Sequence, residues 1–199
     1  MADLVDPHPL PRGQIDLAHH AQVAQTYWNA VAYADHQLGV LIARLKALGV
    51  WNDTLLVVTA DHGESLFDDG FLGHGHLIND QQTHIPLVLS LPGVDPRGPV
   101  GLSDYRALIL NLLAGRPAPR SSGAVFQYIG ELDQPAQIGL VEPGGRWTIF
   151  DFDTRDVRLV PGGGPVAYAT LLPGSRDKAR TDRLIRRWET ERWRHHAGG

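Results

Sequence analysis

Residues 54–65 read Thr-Leu-Leu-Val-Val-Thr-Ala-Asp-His-Gly-Glu-Ser. The first seven form a continuous run dominated by apolar and β-branched side chains, which indicates a strand buried on both faces. The polar residues that follow begin at the carboxyl end of this strand, where open α/β sheets bind their ligands. This junction therefore predicts both an α/β architecture and the place of a functional site.

The elements around this strand predict an α/β layer. From about Asp16 to Leu48, apolar residues recur at spacings of three, four and seven, which is typical of a helix with one broad apolar stripe. A second apolar run at residues 85–91 predicts a neighbouring strand of the same sheet, with the helix packed across both strands. A shorter helix, capped by Ser103, should end before Gly115.

Beyond a Pro- and Gly-containing loop at residues 115–123, the pattern changes from helical to strand-like. Short strands are predicted at residues 124–129, 138–141, 147–152, 157–160 and 166–172. Residues 175–196 predict a basic helix whose apolar side carries Leu184, Ile185 and Trp188. We therefore divide the chain into an α/β part, residues 1–115, and a small antiparallel β subdomain with a terminal helix, residues 116–199.

Composition narrows the classes of function. The 199 residues carry a formal net charge of -4 and are 43% hydrophobic, which suits a folded domain rather than a disordered chain. Nucleic-acid binding is not expected as the main activity, because neutralising phosphates requires a basic face. No apolar run approaches the roughly 18 residues of a membrane span, and the first residues do not resemble a signal peptide. We expect the chain as given to be soluble, and its compartment stays open.

Two further features of composition matter. The absence of cysteine excludes a disulfide scaffold, a thiol nucleophile and cysteine-ligated zinc. Residues 174–199 carry eight Lys or Arg against four Asp or Glu. This helix could contact phosphate or an anionic membrane surface, but its apolar side favours packing on the domain with a solvated outer face.

Asp61 and His62 are the first candidate site residues. Adjacent oxygen and nitrogen donors suit a borderline cation such as zinc or manganese, and Gly63 permits the close turn that would aim both at one ion. Asp and His at the end of a strand can equally satisfy a turn. The pair alone therefore leaves a purely structural role open.

The connection between the two predicted strands adds to this evidence. Irregular connections of roughly twenty residues are usually functional or disordered. The connection contains Glu64, Asp68, Asp69, His74, His76, Asp80 and His84. We expect it to fold back so that His74, or as a less favoured alternative His76, meets the Asp61–His62 pair. The alternative is a flexible acidic lid with solvated histidines.

Several motifs, in the right order, resemble the C-terminal half of a sulfatase, a family of the alkaline-phosphatase superfamily. They lie in the helix from Tyr27 to Leu41, in the run from Leu48 to Glu64, in Gly73-His-Gly75, and in Ile85-Pro-Leu87 with Leu91-Pro-Gly93. The segments 61–66 and 82–86 are also similar to the lipid A phosphoethanolamine transferases, a membrane-anchored branch of the superfamily. The resemblance implies the α/β class: a partial alkaline-phosphatase-like α/β/α sheet with a small antiparallel meander and a terminal helix.

The resemblance also implies a chemistry, the metal-dependent hydrolysis of sulfate or phosphate esters. Asp61 and His62 match the family's metal-ligand pair, for zinc, manganese or calcium. His74 matches a histidine that binds metal or ester oxygens, and we assign it the catalytic role. His84 and His8 match positions that contact substrate. In this scheme the cation neutralises anionic oxygens and lowers the pKa of the nucleophile, while histidine donates to the leaving oxygen.

The chain departs from the family pattern in one respect. The family's nucleophile, a modified Cys or Ser in sulfatases and a Thr or Ser in transferases, lies well upstream of the matched motifs. Asp61 and His62 supply two ligands, whereas zinc takes four, or three and a water. We therefore expect part of a larger fold, with the missing N-terminal half or a second copy as partner, and no turnover by this chain alone. A phosphoethanolamine-type transferase and a non-catalytic remnant or binding module are the alternatives.

Overall fold

The computed structural model describes residues 15–91, 94, 98–119 and 123–197. A short 3-10 turn (Leu17–His19) precedes the first helix. Asp16 caps this turn, because its carboxylate accepts a hydrogen bond from the backbone N–H of Ala18. Helix α1 (His20–Ala47) follows. It stops before Gly49, whose φ of 72° is a conformation that glycine adopts without a Cβ penalty.

The two strands on either side of the candidate site are neighbours, as predicted, but they are short. Strand β1 (Val57–Thr59) pairs antiparallel with β4 (Leu87–Leu89). Between them lie the hairpin β2 (Ser65–Leu66) and β3 (Leu72–Gly73), then the single-turn helix α2 (Asp80–Thr83). Since the β1–β4 sheet has two strands in the described chain, Val88 stays 58% exposed. The predicted burial of these strands on both faces is wrong for this structure.

The expected packing of α1 across β1 and β4 does not bury the helix. No residue of α1 is buried: Leu38, Ile42 and Leu45 are half-buried, and Tyr27, Val31 and Leu41 remain more than a third exposed. Elements that contact α1 include β2 and the turn at Trp51–Asp53. An apolar stripe becomes buried only where an apolar surface faces it, and these short elements offer little such surface.

The predicted antiparallel meander and terminal helix are confirmed. Five strands lie in chain order: β5 (Val125–Glu131), β6 (Gln134–Glu142), β7 (Arg146–Asp151), β8 (Asp156–Val160) and β9 (Val166–Ala167). Helix α4 (Arg176–Ala197) packs against β6 and β7. Strand β9 is shorter than predicted because the chain turns at Tyr168–Thr170.

One face of this sheet and α4 enclose the core. Its buried members are Ile138, Leu140, Phe150, Val157 and Leu184, and Ile185 and Trp188 pack against them. The predicted apolar side of α4 is therefore correct. Several basic residues of α4 are paired with acids: Arg180 and Arg183 contact Glu142, and Lys178 contacts Asp182. The two pairs with Glu142 of β6, like the apolar contacts, favour a helix that packs on its own domain.

Helix α3 (Tyr105–Leu113) lies near β1 within the N-terminal part, with the Tyr105 hydroxyl 2.9 Å from Thr59 Oγ1. A further contact joins the N-terminal and C-terminal parts. The backbone N–H of Ile78 donates a buried hydrogen bond to Gln137 of β6. This buried hydrogen bond crosses the proposed division at residue 115. The division itself stays a prediction. Across the described ranges, no helix has the length and hydropathy that a bilayer crossing requires.

Candidate metal centre

The segment that carries Asp61 and His62 follows β1 and contacts the backbone of α2. Gly63 donates its backbone N–H to the carbonyl of Gln82 at 2.8 Å. A Cβ added to Gly63 would lie 2.0 Å from the carbonyl oxygen of Gln81, so only glycine fits this approach. The need for glycine at this position follows from the close approach to α2, whereas a turn that aims both Asp61 and His62 at one ion stays a prediction.

The segment that carries His74 and His76 also contacts α2. Asn79 caps α2 by accepting the N–H of Gln82, and the Gln82 side-chain oxygen accepts the N–H of His76 at 3.1 Å. Gly73, with a φ of 114°, bends the chain just before His74. Gln82 therefore contacts the backbone of both segments from which the candidate histidines project.

Three side chains converge where these two segments meet: His62, Glu64 and His74. The two imidazole rings stack with centroids 3.7 Å apart and an interplanar angle of 27°. His74 Nδ1 lies 3.0 Å from Glu64 Oε2. One ligand atom of each residue lies within 4.8 Å of the others, which makes this a candidate metal centre.

The hydrogen bonds of the two rings decide which nitrogen stays available. His62 Nδ1 lies 2.8 Å from the carbonyl of Gly63, and His74 Nδ1 faces the Glu64 carboxylate. A carbonyl and a carboxylate can only accept, so each Nδ1 carries the hydrogen. In the neutral rings, Nε2 then keeps its lone pair, which is the arrangement that metal-binding histidines use.

Asp61, which the sequence pairs with His62, lies beside this cluster rather than in it. Its side chain is 86% exposed, with Oδ2 3.7 Å from His62 Nε2. Hydrogen bonds from the backbone N–H groups of Asp61 itself and His62 hold the pKa of the Asp61 carboxyl below its ordinary value. Asp61 is therefore an ionised carboxylate that directly precedes His62 in the sequence but does not belong to the ligand cluster.

Glu64 is the residue that the sequence reasoning did not assign. Its side chain is only 27% exposed and is held by His74. Its place two residues after His62 is the signal that could have suggested it. Which of two nearby carboxylates turns inward depends, however, on the path of the backbone through Gly63.

The remaining predicted site residues lie apart from the cluster or outside the described chain. His84 is exposed, and its Nδ1 lies 3.1 Å from Asp80 Oδ1. It lines a cleft of about 1090 Å³ between β4 and the five-stranded sheet, whose lining includes Trp147 and Arg158 but none of the three clustered residues. His8 lies outside the described residues.

Comparison with known families identifies the family of this chain. The sulfatase family model matches residues 6–114, more than half of the chain. The chain belongs to the sulfatase family. The match contains the whole β1–α2 region, and with it the candidate metal centre of this sulfatase-family chain.

Individual relatives support the assignment. The chain is 29% identical over 136 residues to iduronate 2-sulfatase of Homo sapiens, an alignment that covers 68% of this chain and 20% of the relative. It is 38% identical over 80 residues to the multifunctional alkaline phosphatase superfamily protein PehA of Trinickia caryophylli, covering 40% and 15%. It is 35% identical over 81 residues to phosphoethanolamine transferase EptA of Salmonella typhimurium, covering 39% and 15%. The sulfatase-family chain thus spans a fifth or less of the length of these relatives.

Proposed function

We propose that this chain supplies the divalent-metal centre of a sulfatase-like enzyme that hydrolyses sulfate or phosphate esters. The observation that carries the proposal is the convergence of His62, Glu64 and His74 beyond the end of β1. Two imidazoles and a carboxylate suit zinc or manganese better than calcium, which prefers a shell of oxygens. When bound, the cation would neutralise the anionic oxygens of the ester and lower the pKa of the nucleophile.

Each residue has a proposed role. His62 and Glu64 would hold the metal, with the exposed Asp61 carboxylate as a further ligand that turns toward it. His74, oriented by its Nδ1 contact with Glu64, would contact the metal or an ester oxygen through Nε2. His84 and His8 remain proposed substrate contacts. We propose that the nucleophile comes from another part of the whole protein, since the resemblance places it upstream of the matched motifs and the chain spans a fifth or less of the length of these relatives.

Metal titration tests the proposal most directly. Zinc, manganese and calcium would each be titrated calorimetrically into the 199-residue chain and into His62→Ala, Glu64→Gln and His74→Ala. We expect one-to-one zinc binding, weak because the ligand cluster is largely exposed, and at least a tenfold loss of affinity in each variant. His36→Ala, an exposed histidine on α1, is the matched control and should bind as the wild type does. Unchanged zinc affinity in the three variants would contradict the proposed centre.

An ester assay complements the titration. We expect neither aryl sulfates nor aryl phosphates to be hydrolysed by this chain alone, because the nucleophile is proposed to lie elsewhere. Metal-dependent turnover that Asp61→Ala abolishes would instead place the nucleophile within these residues.

A second candidate is a phosphoethanolamine-type transferase, which the similarity to EptA favours. Both candidates use the same metal centre but differ in the acceptor, which is water for a hydrolase and a hydroxyl group for a transferase. An assay of the whole protein with an aryl sulfate and with a phosphatidylethanolamine donor separates them by the product released. Failure of the chain to bind any metal would favour a non-catalytic remnant of the fold.

A further inference from the structure

A buried side chain of the C-terminal sheet connects to the candidate metal centre. Gln137 of β6 accepts the backbone N–H of Ile78 through Oε1 and donates through Nε2 to Asp151 Oδ2, both at 2.9 Å. A backbone N–H can only donate and a carboxylate can only accept, so both ends of the amide have fixed partners. Burial raises the pKa of Asp151, but hydrogen bonds from the Thr154 backbone and Gln137 outweigh it and hold that pKa below its ordinary value. Asp151 is therefore ionised and able to orient the amide.

The side chain of Ile78 is fixed on the same face of the sheet. It is only 2% exposed and lies over Gly139, two residues along β6 from Gln137. A Cβ added to Gly139 would lie 3.0 Å from Ile78 Cγ2, so the glycine provides the space into which the isoleucine packs. Backbone and side chain together hold Ile78 on the C-terminal sheet.

From Ile78 the contacts lead to both halves of the site. The next residue, Asn79, caps α2 at the N–H of Gln82. The backbone carbonyl of Gln82 then accepts the N–H of Gly63, and its side-chain oxygen accepts the N–H of His76. His62 precedes Gly63 directly, and His74 lies two residues before His76. A displacement of Ile78 would therefore move the supports of both histidines.

We infer that Gln137 is a positioning residue for the candidate metal centre, holding α2 where His62, Glu64 and His74 converge. Gln137 has no contact with the three ligands and acts through Ile78 and Gln82. The inference rests on the proposed function for its metal, whereas its geometric part concerns the protein alone. It gives the C-terminal sheet a part in the chemistry of the N-terminal segment.

Substitutions that exchange the hydrogen-bond donor and acceptor of the Gln137–Asp151 pair test whether Gln137 positions the site. Gln137→Glu places two carboxylates face to face. Asp151→Asn keeps an oxygen for the N–H groups of Asp153 and Thr154 but turns an amide donor toward the Gln137 donor. The double substitution restores one donor opposite one acceptor and still offers an acceptor to Ile78. Gln134→Glu, an exposed change of the same kind on the same strand, is the control.

Amide hydrogen exchange tests the geometric part without metal. We expect each single variant to speed exchange at Ile78, Gly63 and His76 by at least tenfold, with β7 still protected. The double variant should recover most of this protection, and Gln134→Glu should match the wild type. Faster exchange throughout β7 in the single variants would mean that Gln137 holds the sheet rather than the site, and would overturn the inference. Unchanged exchange at Gly63 and His76 would overturn it as well.

Zinc titration of the same variants tests the consequence for the site. Each single variant should bind zinc about tenfold more weakly, and the double variant should bind within about threefold of the wild type. Equal weakening in the single and double variants would overturn the inference. If the wild type itself bound no zinc, the proposed function would fail, while the exchange measurements would still decide whether Gln137 positions these segments.

Discussion

Residues 123–197 form one buried apolar core between a sheet and a helix, whereas the described residues before them leave most of their apolar side chains partly exposed. Ile138, Val157 and Leu184 of the C-terminal part are fully buried. In the N-terminal part, the buried apolar residues are Ile78 and Leu108, and Ile78 packs against the C-terminal sheet. The candidate chemistry thus lies on the loosely packed part, and the well-packed part supplies its support.

This difference matches the separate demands of stability and chemistry. A core between a sheet and a helix lowers the free energy of folding through buried apolar area. A metal centre needs donor atoms that solvent and substrate can reach, and His62 and His74 are both more than 40% exposed. Such loops have few buried contacts of their own, so their geometry depends on anchors such as Ile78.

The largest expected effect comes from the core. Leu184→Ala removes a fully buried side chain and should lower the free energy of unfolding by about 2–5 kcal/mol. Leu41→Ala on α1, where the side chain is 49% exposed, should cost less than about 1 kcal/mol. Urea denaturation followed by tryptophan fluorescence measures both. If both variants lost the same free energy of unfolding, the Leu41 side chain would be buried in solution. The contrast between the two parts would then not hold.

A pair of glycine substitutions sharpens the comparison within the N-terminal part. Gly63→Ala places a methyl group against the backbone of Gln81 and should cost about 1–3 kcal/mol, with at least a tenfold loss of zinc affinity. Gly39→Ala, in an open stretch of α1, should instead stabilise the protein by about 0.5–1 kcal/mol. Thermal unfolding and zinc titration test the pair. A Gly63→Ala variant with unaltered zinc binding would argue that the close approach of Gly63 to α2 does not position the metal centre.

The smallest effect concerns a polar contact between α4 and the turn after β9. Hydrogen bonds from Lys178 and from the Tyr168 hydroxyl hold the pKa of Asp182 below its ordinary value. Because the pKa of Asp182 is lower in the folded protein than in the unfolded chain, its charge stabilises the fold at any pH above the unfolded-state pKa, near 4. This stabilisation is lost as the pH falls through the folded-state pKa.

Asp182→Asn should therefore cost at most about 1 kcal/mol at pH 7, and the difference from the wild type should shrink below pH 4. Urea denaturation between pH 2 and pH 7 measures it. Asp153→Asn, a change of the same kind at an exposed acid, is the control and should show no such trend. A difference that persists unchanged at the lowest pH would exclude the charge of Asp182 as its cause.

The accuracy of the sequence predictions differs between the two parts. In the C-terminal part, alternation within each strand and the spacing of Leu184, Ile185 and Trp188 predicted the meander and the buried side of α4. In the N-terminal part, the same reasoning predicted the helix and the two neighbouring strands but assumed that both would be covered. A periodic stripe indicates which side of a helix can be buried, and it does not show what faces that side.

The sequence by itself determined the order of the longer helices and strands, the family and the segments that carry the candidate ligands, because these depend on residues within a few positions of one another. It did not predict the β2–β3 hairpin or α2. Only the tertiary structure decided that Glu64 joins His62 and His74 while Asp61 stays exposed, since that choice follows from the packing of Gly63 under α2. It also decided the contact between Ile78 and Gln137, two residues 59 positions apart. Neither residue carries a local signal of that contact, because it forms only when the sheet and the loop fold against each other.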